Sequence, residues 1–135
     1  MIKKVLDMTE SEKIKAFLDF VEESKKLHKL AMESMKLEDK KLQDFLHAIE
    51  FEPNAKERSK ICTKLHESRM ARRRHKDIME SCEPIVQFFQ DPQNKRTLDK
   101  MTQLLGEVRK VEKYHKDRQY FPRVKEKDHD ERKNS

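Results

Sequence analysis

The chain has 135 residues, enough for one domain, but only 34% of them are hydrophobic and 43% are charged, which excludes a thick globular core. One glycine, four prolines and no tryptophan, with Lys, Glu, Leu, Met, Asp and Arg dominating, argue against a β-rich fold and for long helices that each bury one stripe. The net charge of +6 arises beyond the first third: residues 1–52 hold 10 basic and 12 acidic side chains, residues 53–90 hold 9 and 5, and residues 91–135 hold 13 and 9.

Basic blocks of this kind concentrate phosphates or acidic protein surfaces around themselves, although helices of mixed sign are more often simply solvated. No apolar run reaches the length of a membrane span, and the start "MIKKVLDMTES" lacks the apolar core of a signal peptide, so a soluble cytoplasmic protein without a membrane partner is expected. Cys62 and Cys82 stand in one helical pattern, about 30 Å apart if that helix is continuous, too far to bridge.

Thr9 followed by Glu12 forms a capping box, and from there Ile14, Val21, His28, Met35, Leu42 and Ile49 recur at heptad spacing. The spacing predicts one helix over about 10–51, with Phe17, Ala31 and Phe45 as companion seam positions and Leu18, Met32 and Leu46 widening the stripe. Pro53 ends it, because proline has no N–H to donate and disfavours the helical conformation for Glu52. Asn54 then caps a second helix over about 55–90, whose seam reads Ile61, Leu65, Ser68, Arg72, His75, Met79, Cys82, Val86 and Phe89, with a kink or interruption expected near Pro84, at Ser81 to Glu83. "DPQN" starts a third helix over about 92–118, Asp91 as cap and Pro92 at the first helical position, lined by Leu98, Met101, Leu105, Val108, Glu112 and His115. The predicted fold is all-α: an antiparallel three-helix bundle with long coiled-coil-like helices over residues 1–122, followed by a flexible, disordered, charged tail over 123–135.

The stretch "ESRMARRRHKD", Glu67 to Asp77, carries the sharpest question. Folding each short connection into an antiparallel hairpin sets Glu38 level with Glu67 and Ser68, Glu112 level with Met70, and His115 level with Glu67. An internal polar layer of Glu38, Ser68, Arg72, Glu112 and His115 follows, with Arg72 less exposed than Arg73 or Arg74. Such a layer either fixes helix register through ion pairs, since a buried guanidinium must be paired, or lines a pocket for an anion through Arg72, His75 and His115. For an anionic ligand, nucleotide or nucleic acid, the candidate binding residues are Arg69, Arg72, Arg73, His75 and Lys76 on the second helix and His115, Arg118, Tyr120 and Arg123 near the "YFPR" segment. The aromatics of that segment are expected to pack over one end of the bundle.

Catalytic motifs do not complete themselves. Glu112 with His115 and Asp44 with His47 are Glu/Asp-x-x-His pairs, but the second lies off the inward stripe and Arg72 would repel a cation, so neither metal nor cofactor is expected. Glu80 and Glu83 are similar to the first acidic motif of the all-helical nucleotide pyrophosphohydrolases, without a correctly spaced second. "LHAIEF", "RMARRRHKD" and "DRQYFPRV", in a short and densely charged chain, resemble in style the small helical proteins of bacteriophages and prophages. That resemblance implies an accessory role: DNA handling, takeover of a host enzyme, or neutralising a host defence. A non-catalytic binding protein is therefore expected, acting as a protein-interaction module or inhibitor of a host enzyme. Apolar seam left bare around Ile14 to Val21, opposite Val86 and Phe89, would favour a homodimer or a partner helix.

Overall fold

The computed structural model describes residues 4–124, and residues 125–135 of the predicted tail lie outside them. After a short 3-10 turn at Val5–Asp7 come three helices: α1 (Glu10–Phe51), α2 (Ala55–Gln90) and α3 (Pro92–Asp117). The chain is all-α, a three-helix bundle, as its periodicity implies.

Each boundary has a chemical cause. Thr9 and Glu12 exchange the two hydrogen bonds of a capping box, so the first orphan N–H groups of α1 are satisfied locally. At the first connection the Asn54 side chain accepts from the Glu57 N–H at 3.0 Å, and Arg58 Nη1 donates to the carbonyls of Glu52 at 2.8 Å and Pro53 at 2.9 Å. One arginine thus serves carbonyls that the end of α1 leaves unpaired. At the second connection Asp91 accepts from the Gln93 N–H, and Asn94 donates back to the Phe88 carbonyl, both at 2.9 Å. Pro84 does not interrupt α2, which continues through it to Gln90. Being exposed, Pro84 can leave the Glu80 carbonyl facing water, where its lost hydrogen bond is replaced.

α1 and α2 form the predicted antiparallel hairpin: Phe17 meets Phe89 with ring centroids 6.3 Å apart, His28 pairs with Glu83, and Glu38 with Ser68. α3 departs from the expected pairing. Its start lines a small cavity of about 180 Å³ with Leu18, Glu22 and Lys25, and near its end Glu112 reaches the Ser11 backbone, so α3 runs antiparallel to α1 instead of folding back along α2. The physical reason is apolar area. The flank of α1 beside the end of α2 was bare, and α3 covers it, leaving Val21 only 1% exposed and burying Val86, Leu98 and Leu105. The expected bare seam at Ile14 to Val21 is therefore largely covered: Val21 is buried and Ile14 half-buried, while Phe17 keeps 38% exposure.

The buried apolar centre is small: Val21, Ala31, Cys82, Val86, Leu98 and Leu105 among the described residues. Because α3 covers only the first part of α1, the far half of the hairpin is a two-helix structure. Truncating Leu105, which is 5% exposed, should detach α3 first. Leu105→Ala is expected to lower unfolding free energy by about 2–5 kcal/mol in urea titration, because a buried leucine truncated to alanine loses its transfer free energy and leaves a cavity.

Candidate functional site

The basic stretch of α2 lies beside Glu38 and Asp39 of α1. Glu38 is 7% exposed, and its carboxylate accepts a hydrogen bond from the Ser68 hydroxyl and another from Lys41 Nζ at 3.2 Å. The Ser68 hydrogen bond is the largest influence on Glu38 and holds its carboxyl below the usual carboxylate range, burial opposes that, and the positive groups of Lys41 and His75 support it. Of the predicted polar layer, Glu38 and Ser68 are the two residues that bond to each other.

Arg72 is less exposed than Arg73 and Arg74, as its seam spacing implies, but its partner is neither Glu38 nor Glu112. Arg72 Nε donates to Asp39 Oδ1 at 2.7 Å, and Arg69 Nη2 approaches the same oxygen at 3.5 Å. Both arginines are half-buried and reach a carboxylate one residue beyond the buried Glu38, as long amphipathic side chains can. Asp39 stands off the heptad, so periodicity does not mark it; only the i, i+3 spacing of Arg69 and Arg72 marks where a facing carboxylate would be useful. Arg69 Nη1 is buried without a hydrogen-bond partner among the described residues, so the shared carboxylate does not satisfy both guanidinium groups.

Glu112 and His115 are elsewhere. Glu112 Oε2 accepts from the Ser11 N–H at 3.1 Å, placing a carboxylate at the positive end of the α1 dipole. Ser11 and Asp39 are separated by about 42 Å along a straight helix, so neither Glu112 nor His115 shares a layer with Arg72. The predicted pocket of Arg72, His75 and His115 does not form, because α3 lies against the opposite end of α1. His115 is exposed, its ring tilted at 56° to that of Tyr114 with centroids 5.9 Å apart.

The other candidates divide in the same way. Arg73 is exposed, His75 is half-buried near Glu38, and Lys76 is 3.8 Å from Glu80 one turn on. Arg118, Tyr120 and Arg123 are all exposed beyond the bundle, and the expected packing of Tyr120 and Phe121 over its end is not found: they are 84% and 77% exposed. Lys110, Lys113, Tyr114, Asp117 and Arg118 line a shallow depression of about 430 Å³ on the outer side of α3. A further polar pair, His28 with Glu83, joins the hairpin one to two turns beyond Val21, and Gln87 donates to the same Glu83 at 2.9 Å.

Among the described residues no three His, Cys, Asp or Glu side chains gather into a group that could hold a metal, and no helix is long and apolar enough to cross a membrane. The chain matches no protein-family model, no curated protein and no solved structure.

Removing the hydroxyl in Ser68→Ala leaves the buried Glu38 with one fewer donor and should cost about 1–3 kcal/mol of stability at neutral pH. Because the folded-state pKa of Glu38 is depressed, the unfolded chain binds more protons in that range. Its stabilising contribution is complete above the ordinary carboxylate pKa and is lost as pH falls through the depressed one. Urea titrations from neutral pH into that range should show this loss in the wild type and a flatter profile in Ser68→Ala.

Proposed function

We propose that the chain is a small non-catalytic binding protein that docks another protein on the outward face of α1. The observation that carries this reading is an apolar stripe on that face: Phe20, Leu27, Leu30 and Leu37 are 46%, 48%, 58% and 53% exposed and follow one another at heptad spacings. Leu18 and Lys25 face α3; Phe20 and Leu27, two residues further on, lie about 200° around the helix, away from it. An exposed apolar stripe of that kind, interrupted only by Glu23 and Ser34, costs solubility unless a partner covers it, and a second apolar seam on a helix is how helix-to-helix recognition is built. The same stripe replaces the Ile14 to Val21 seam as the basis for an expected dimer or protein partner. An inhibitor or accessory protein acting in the cytoplasm of a host cell, as the phage-like style of the chain implies, would use such a face.

A second reading, binding of an anionic ligand such as a nucleotide or nucleic acid, is favoured by the exposed end of α3. There Lys110, Lys113 and Arg118 line one depression with Tyr114 and Asp117, and the exposed Tyr120 follows two residues after Arg118, whereas Arg69 and Arg72 are already engaged with Asp39.

Leu27→Asp combined with Leu30→Asp should leave the helical circular dichroism intact, since both positions face water in the isolated chain. As bait in a host lysate the wild type is expected to retain a protein that the variant loses, and equal retention by both would remove the stripe from the account. Calorimetric titration with short DNA and with nucleotides separates the second reading: binding that weakens steeply with salt and is lost in Arg118→Ala would favour it.

A further inference from the structure

The stripe on α1 is self-complementary, and we infer that it docks a second copy of this chain as an antiparallel α1–α1 pair whose two-fold axis passes between His28 and Lys29. This rests on the reading of that stripe as a docking face and names the occupant. With the axis there, Leu27 meets the second copy's Leu30, Phe20 meets the second copy's Leu37, and Glu23 meets the second copy's Ser34, whose hydroxyl can donate to it. Every apolar residue of the stripe between Phe20 and Leu37 thereby finds an apolar partner. No other antiparallel register does this, because a shift by one turn sets a leucine against Glu23 or Ser34.

The flanking charges agree with the same axis. In an antiparallel pair the residues just outside the seam face each other across it, and here Lys26 faces the second copy's Glu33 while Asp19 faces the second copy's Lys40. Each pairing joins opposite charges and occurs twice by symmetry. Lys26, Glu33 and Lys40 are exposed and make no ion pair within the chain among the described residues; Asp19 pairs locally with Lys15 at 2.7 Å and would share or exchange that partner. A parallel pairing fails on charge, since it opposes Glu23 to itself and brings Glu33 beside the second copy's Glu38. On the other side of the stripe stand Ser24 and Ala31, each 4% exposed and small, so the second α1 can approach closely beside α2.

Sedimentation velocity on the full chain is expected to show a dimer that dissociates on dilution. Lys26→Glu and Glu33→Lys should each weaken self-association by about tenfold or more, because each sets like charges face to face twice. The doubly swapped K26E/E33K chain should regain near wild-type association, since the two positions are too far apart on one helix to compensate each other and do so only across an antiparallel axis. Circular dichroism of all three should be unchanged, both side chains being exposed. A wild type that remains monomeric at every concentration overturns the inference; if that monomer still captures another protein through Leu27 and Leu30, the docking-face reading survives without it. A dimer that the double swap does not rescue overturns the antiparallel axis.

Discussion

Burial of Val21 requires three helices to converge on one short length of α1, and most of the architecture follows from that. α1 is about 63 Å long if straight, while α3 measures about 39 Å, so the third helix can complete a core along only part of the first. It does so where α2 ends, bringing Leu98 and Leu105 to the flank that holds Ser11, Leu18 and Lys25. Everything beyond is a hairpin in which each helix has one neighbour. A chain with so little buried apolar area gains its stability from length and from many small contacts, not from a central core.

Along that hairpin, polar pairs substitute for depth. His28 with Glu83, Glu38 with Ser68, and Asp39 with Arg69 and Arg72 occur at successive heights between α1 and α2. A two-helix seam of apolar residues alone would tolerate sliding by a heptad, since each leucine finds another. A buried carboxylate that needs one hydroxyl does not tolerate it, because the shifted state leaves Glu38 desolvated and unpaired. Register is thus held by Glu38 and Ser68, and the arginine cluster adds a partly solvated clamp at the rim, where ion pairs contribute less.

α1 is two-faced. One heptad of apolar residues, through Val21 and Ala31, faces α2, and a second, through Phe20, Leu27, Leu30 and Leu37, is turned out to water. The two share an edge at Ser24, Ala31 and Glu38, all buried. Small or hydrogen-bonded residues at that shared edge let the inner helix pack tightly without obstructing an outer one. The same division explains why the basic stretch of α2 does not form a pocket: Arg69 and Arg72 turn to Asp39 of α1, Arg73 and Arg74 are exposed, and the depression that gathers lysines beside an aromatic ring lies at the end of α3.

The helices, their caps and their limits were legible in the chain because they depend on neighbours three or four residues away: Thr9 with Glu12, Asn54 with Glu57, Asp91 ahead of Pro92. The α1–α2 hairpin was legible as well, since a three-residue connection and two long seams leave one way to pair them, and it correctly set Glu38 beside Ser68. Tertiary structure alone decided the position of α3. One residue, Asp91, separates α2 from α3, and its extended backbone does not dictate a direction; the choice was made by which flank of α1 had apolar area left to bury. That choice carried Glu112 and His115 to the end of the bundle occupied by Ser11. The partner of Arg72 was likewise beyond a periodicity reading, because a long guanidinium stem reaches past its own seam position to any carboxylate within range, and only the packed helices specify that it is Asp39.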